Sequence, residues 1–379
     1  MTLPASIASA RSQRGLTLVE LMVALVMGMV LLAGVATVFV ANKQSYRLQD
    51  SLARLQENGR FAIEFLERDI RMAGYTGCKN LVLKANTVAD PPQTTTCSTK
   101  GMTLDGGEPV DGFDNVGSNS PADPLNTGAL QPPRPPKLDT DILRLLLGGG
   151  QGAKVIQHKE NSAQLKVTAF ADLADEDIVM VVDSTCENGS IFQITNFANK
   201  SINHSEVVHN TGNTTSPSNC VKDLGQTYMG GRIIKFVRAA YFVADTGRLA
   251  AGQPVFALYR LDSTRVGTPT LQELIEGVED MQILFGVGSD ADNDGVVDTI
   301  AYKDATAVKN ASEWPAVVNV RVQLLLSSAD PNALWKSQEI DVQLGRTSVT
   351  EYVNIALTPA DKAMRQDYNT TTTVRNRVN

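Results

Sequence analysis

The chain has little of what most enzymes use. Its 379 residues hold three histidines and two tryptophans. There is no Gly-x-Ser-x-Gly elbow and no Walker A lysine loop. His204 and His209 lie five apart with Glu206 between them, which is not the His-Glu-x-x-His spacing of a zinc helix. Their polar surroundings read instead as a solvated loop. The four cysteines include no Cys-x-x-Cys pair, so a thiolate metal site is disfavoured. Positive charge is also short: the formal net charge is −7, which gives no electrostatic case for nucleic-acid binding. The chain does not read as an enzyme.

Two further absences are local. No proline occurs from Leu16 to Ala73, so nothing there breaks a helix. From Leu16 to Ala41 the only ionisable side chain is Glu20, and an apolar helix of that length spans a ~30 Å hydrocarbon core. A carboxylate near the centre of such a helix would cost about 2.5–3.5 kcal/mol, so a plain anchor gains nothing from it. Arg11 and Arg14 flank the run, and no other basic residue follows until Lys43. That asymmetry predicts a cytoplasmic N-terminus, with the bulk of the chain outside the inner membrane.

The stretch Arg14-Gly15-Leu16-Thr17-Leu18-Val19-Glu20 resembles the type IV prepilin signal. The resemblance implies peptidase cleavage between Gly15 and Leu16, methylation of the new N-terminus, and a role for Glu20 facing that amine in the assembled filament. A secretory signal differs, because its apolar region of ~7–15 residues precedes the cleavage site. Removing residues 1–15, with two arginines and no acid, would take the net charge to −9.

Beyond the membrane run, Leu48, Leu52, Leu55, Gly59, Ala62, Ile63, Leu66, Ile70 and Ala73 recur at three- and four-residue steps and form one stripe. Gly74 and Gly77 offer the stop. The spacing predicts one helix over 16–73, roughly 87 Å long at 1.5 Å per residue. Its first half (16–41) is apolar all round and its second half (42–77) amphipathic. Phe61 and Phe65 flank the stripe and are expected in the core. The run Glu57 to Cys78 is similar to the stretch that follows the membrane helix in the PilW family of minor pilins.

Residues 79–137 and 199–227 have loop composition. Strands are expected at 142–147, 165–169, 178–182, 191–195, 233–242, 255–261, 278–287, 296–302, 317–326 and 340–344, with a short helix at 271–276. Strands clustered after one long helix predict an α+β fold: the helix packed on a mainly antiparallel β domain (78–379), pilin-like.

Cys78, Cys97, Cys186 and Cys220 suggest disulfides in an extracytoplasmic domain. Three pairings are open; the local choices are Cys78–Cys97 and Cys186–Cys220, each stabilising by ~3–4 kcal/mol through loop entropy. The run from Asp290 to Asp298 places Asp290, Asp292 and Asp294 at alternate positions before Gly295, as at the opening of an EF-hand calcium loop. Val296 would give its carbonyl, and Asp298 would bind directly or through water. The twelfth position is Ala301, where the bidentate Glu is missing; the alternative is a polar hairpin. Similar Asp-rich loops are often found in PilW-like proteins, and the tail from Thr370 resembles theirs.

The PilW resemblance implies a minor pilin that primes type IV pilus assembly and sits near the tip. Its implied partners are other minor pilins, the major pilin, the prepilin peptidase and a tip adhesin. A minor pseudopilin of type II secretion, similar to GspJ, is the runner-up. A membrane-tethered adhesin or binding domain is the third reading.

Overall fold

The computed structural model of the chain describes residues 17–75, 78, 82–86, 88–89, 109–115, 134–169, 172–201, 203–211, 218–250, 252–263, 270–292, 294–331, 333–334, 341–342, 353–354 and 362–375. Two compact units are present, Met1–Ser51 and Leu52–Asn379. One continuous helix, α1 (Leu18–Met72), runs through the boundary.

In the first unit α1 exposes its apolar side chains. Leu21, Val26, Leu31, Val35 and Phe39 are all more than half exposed. Among the described residues this is one helix long and apolar enough to cross a membrane.

In the second unit the apolar stripe becomes a core face. Leu55, Ala62, Leu66, Ile70 and Ala73 are buried. They pack against Leu143, Leu145, Tyr241, Ile283, Phe285 and Leu324. Fully burying a leucine or isoleucine stabilises by about 1.5–3 kcal/mol, so this face holds the helix. Leu48 and Leu52, expected on the stripe, are each 37% exposed. Phe65 packs on the core as expected, whereas Phe61 is exposed. The helix ends where glycine permits it. Gly74 takes φ +70, a left-handed geometry suited to a C-terminal cap, and donates its N–H to Leu146 O at 2.8 Å.

The strands follow in chain order: β1 (Val82–Asn86), β2 (Val88–Ala89), β3 (Val110–Phe113), β4 (Ile142–Lys159), β5 (Gln164–Thr168), β6 (Ile178–Val182), β7 (Asn188–Gln193), β8 (Asn196–Ser201), β9 (His204–Val208) and β10 (Ser218–Asn219). Then come β11 (Arg232–Ala250), β12 (Gln253–Ser263), β13 (Thr270–Glu276), β14 (Val278–Ser289), β15 (Thr299–Lys303), the helix α2 (Ala305–Asn310), β16 (Val317–Ser327), β17 (Asp341–Val342), β18 (Val353–Asn354) and β19 (Arg365–Thr373). The larger sheet runs β1-β7-β6-β11-β4-β5-β9-β8, with β12 and β3 branching from β11 and β4, and β13 beyond β12. A four-stranded sheet runs β15-β14-β16-β19. Every described pair is antiparallel except β1 with β7, which is parallel. The α+β architecture is as the sequence predicts.

Several local expectations are corrected. Residues 270–276 form strand β13, not a helix. The consecutive Leu258 and Tyr259 of its partner β12 pair with Ile275 and Glu273, so the register skips Leu274 on β13. Leu274 is thereby bulged, and Leu274 and Ile275 both reach the core. That gives Leu271, Leu274 and Ile275 the i, i+3, i+4 spacing of a helix. The loop-like stretch 79–137 contributes β1, β2 and β3, and 199–227 contributes β9 and β10. Helix α2 and strand β19 were not expected.

A second correction concerns the cysteines. Cys78 is bonded to Cys186, not to Cys97. The parallel pairing explains it. Val82 lies opposite Asn188, so the residues just before each strand are carried side by side. Cys220 is disulfide-bonded as well. The expected Cys186–Cys220 pair is thereby excluded, and the cysteine left over, Cys97, lies outside the described residues.

Candidate functional site

Two places carry the functional expectations. The first is the start of α1. Thr17 precedes the helix, and its Oγ1 accepts the Glu20 N–H at 3.3 Å while its carbonyl accepts the Leu21 N–H at 3.1 Å. Thr17-Leu18-Val19-Glu20 therefore has the spacing of a capping box, with the acid at the third helical position. A carboxylate there also suits the positive end of the helix dipole. Both residues are exposed. Gly15 and Leu16 lie outside the described residues.

The second place is the turn between β14 and β15. Strand pairing runs from Phe285↔Lys303 to Ser289↔Thr299, so the aspartate loop closes this hairpin. Asp290, Asp292 and Asp294 each offer a carboxylate oxygen, and these oxygens lie within 4.8 Å of one another. Backbone donors shape the loop around them. Asp290 accepts from Asp294 N at 3.2 Å and Gly295 N at 2.9 Å, Asp292 from Asp294 N at 3.2 Å, and Asp294 from Val296 N at 2.7 Å. Gly295 sits at φ +87, where a β-carbon would be strained. Asp298 stands outside the three-carboxylate group; its Oδ2 accepts from Ala291 N at 2.8 Å. The side chain of Val296 is exposed. Ala301 lies in β15 opposite Val287, so the twelfth position brings no carboxylate. An all-oxygen set on an exposed loop suits a hard cation with flexible coordination, such as Ca²⁺.

The histidines depart from expectation. His209 is not in a solvated loop: it is 1% exposed. Its ring lies 5.1 Å from that of Phe192 and 5.8 Å from that of His158 on β4. Burial, and then the neighbouring His158, pull its pKa down to about 4. Burial also lowers His158. Sequence spacing could not join two residues from different strands. The one available signal was the apolar Val207-Val208 immediately before His209.

Residues 10–36 match the family model of the prokaryotic N-terminal methylation motif. Residues 240–376 match that of the type IV pilus-assembly protein W, PilW. The first match takes in Thr17 and Glu20, and the second takes in the aspartate loop. No curated protein and no solved structure matches the chain.

Proposed function

We propose that this PilW-like, type IV pilus-related pilin is a minor pilin that primes filament assembly and sits at or near the pilus tip. The observation that carries the reading is a conjunction in one chain. An exposed apolar helix begins at a methylation motif, and a β-rich region matching PilW follows it. Such a helix has two apolar environments open to it, the bilayer and a bundle of like helices. Both matches point to a structural role rather than to catalysis.

The mechanism is a change of partner. After cleavage at Gly15–Leu16 by the prepilin peptidase, the apolar half of α1 moves from lipid into the filament core. Glu20 is tolerable there because it meets the new N-terminal amine, on its own chain or a neighbour's. The β-rich unit stays on the periplasmic or outer side and meets other minor pilins, the major pilin and a tip adhesin. The loop at Asp290, Asp292 and Asp294, with the Val296 carbonyl and Asp298, holds Ca²⁺ as a structural ion. The PilW match favours the pilus over a GspJ-like pseudopilin role.

The test is expression of the full chain with prepilin peptidase and the other pilins, followed by mass spectrometry of sheared pili. A methylated N-terminus at Leu16, with minor pilins co-purifying in small amounts, is the expected result. Retention of Met1 in the membrane fraction alone would favour the tethered adhesin instead.

A further inference from the structure

The core between β4, β7 and β9 contains an arrangement that pilin assembly does not use. Two of the three histidines of the chain meet there. The geometry is unfavourable to a second proton on either ring. His158 Nδ1 accepts the Tyr228 N–H at 3.2 Å. A neutral His158 therefore carries its proton on Nε2, and adding one at Nδ1 would set donor against donor. Among the described residues, neither ring nitrogen of His209 has a hydrogen-bond partner outside its own backbone, and His158 Nε2 has none. A charge on His209 would be buried, unpaired and close to a second imidazole, and unpaired buried charge is costly.

The surroundings offer little compensation. Glu160 and Asp223 act on His158, favouring its charged form, but burial outweighs them. Tyr228, 6.2 Å away ring to ring, has its hydroxyl within 2.6 Å of Ser190 Oγ, and Asp183 acts on that tyrosine. On His209 the one ionisable group that acts, among the described residues, is His158, and it opposes the charge. The backbone N–H of His209 is tied to Ala163 O at 2.9 Å, so the ring sits where the chain leaves β9.

We propose that His158 and His209 form an acid-operated latch: neutral, they hold the β5-β9-β8 end of the larger sheet closed, and their protonation releases it. The sign follows from linkage. His209 is held below its unfolded value, so between about pH 6.5 and 4 the opened state binds more protons than the closed one. Closure is then complete at neutral pH and weakens as pH falls through this window. Local opening of one cooperative unit while the rest stays folded is an ordinary behaviour of native proteins. β5, β9 and β8 are the last three strands of the sheet path, and among the described strands they join the rest through the β4–β5 pairing, so they are suited to open together.

The experiment is hydrogen exchange of the full chain in detergent at pH 7.5 and 4.5, corrected for intrinsic exchange rates. Amides of β9 and β5 in the wild type should lose roughly 10- to 100-fold of protection on acidification, beyond any loss in β16. His209→Gln should remove most of that excess loss. Equal changes in β9 and β16, or an unchanged acid response in a folded His209→Gln, would overturn the latch. If that variant does not fold, imidazole NMR of the wild type decides. A His209 midpoint well below 6.5 supports the latch, and one at or above 6.5 overturns it.

Discussion

The phenol ring of Tyr368 on β19 lies directly over Gly59 on α1, and its hydroxyl donates to the Leu55 carbonyl at 3.1 Å. A β-carbon at position 59 would collide with the end of that ring. The helix and the four-stranded sheet approach closely because one residue has no side chain. Gly59→Ala should destabilise the second unit by about 1–3 kcal/mol through overpacking, less up to about 1 kcal/mol regained in helix propensity. The check is a double-mutant cycle in chemical denaturation. Tyr368→Leu should relieve the clash, so that the two changes together cost less than their sum.

What could be read in the sequence follows from which forces are local. The buried face of α1 was legible because Leu55, Ala62, Leu66 and Ile70 recur at helical spacing, and strand β6 was legible to the residue. β13 was misread because a bulge at Leu274 copies a helical spacing. Pairing between distant strands leaves no mark on either strand alone. The β1–β7 alignment that joins Cys78 to Cys186 was therefore invisible, as was the meeting of His158 with His209. The aspartate loop was legible because its ligands, its turn glycine and its flanking strands are consecutive.

The disulfide framework gives a second prediction. With Cys78 joined to Cys186, the remaining cysteines are Cys97 and Cys220. β2 pairs with β10, placing Ala89 opposite Ser218, two residues before Cys220. Non-reducing peptide mapping should return Cys78–Cys186 and Cys97–Cys220. The first bond spans 108 positions, so replacing both partners by serine should cost about 4–5 kcal/mol on a loop-entropy basis. A Cys186–Cys220 peptide would contradict the strand alignment.

Glu20 offers a third. Glu20→Ala leaves the hydroxyl of Thr17 on the N–H of residue 20, so α1 should still start at Leu18 and insert. Processing should proceed, while the amount in sheared pili falls at least tenfold if the acid serves the N-terminal amine. Immunoblots of membrane and pilus fractions separate the two effects. Normal incorporation would confine Glu20 to helix capping.

Asp141 provides a pH dependence opposite to that of the histidines. It is 4% exposed and accepts from Asn115 N at 2.9 Å and Ile283 N at 2.7 Å, tying β14 to the start of β4. Burial raises its pKa to about 7 against these hydrogen bonds, with Asp114 and Asp280 adding to the rise. Because its folded value lies above the unfolded one, the folded state binds the extra proton between about pH 4 and 7. Its contribution is therefore favourable at the acid end and lost as pH rises towards 7, by at most a few kcal/mol. Carboxyl-resolved NMR should find one aspartate with a midpoint near neutrality. Hydrogen exchange at β14 should slow on acidification from pH 7.5 to 5.5, after correction for intrinsic rates.

The aspartate loop should show its ion through a crossover in stability. Without a cation, the carboxylates of Asp290, Asp292 and Asp294 repel across less than 5 Å, each held in place by backbone donors. Asp292→Asn removes one charge and keeps an acceptor for Asp294 N. In chelator, the variant should melt at or above the wild-type temperature. With Ca²⁺ the order should reverse. The absence of an acid at Ala301 predicts weak affinity, about 10⁻⁴–10⁻³ M, in the range of extracellular modules. At a hundredfold excess over that constant, binding to the folded state alone adds about 2.7 kcal/mol. Mg²⁺ should do far less, because it demands strict octahedral geometry and surrenders water reluctantly. The measurement is thermal melting of the full chain in detergent, for wild type, Asp292→Asn and Asp294→Asn, each with chelator, Ca²⁺ or Mg²⁺. If the wild type melts at one temperature in all three, and calorimetry detects no heat at millimolar Ca²⁺, the turn is a polar hairpin whose carboxylates serve only its backbone.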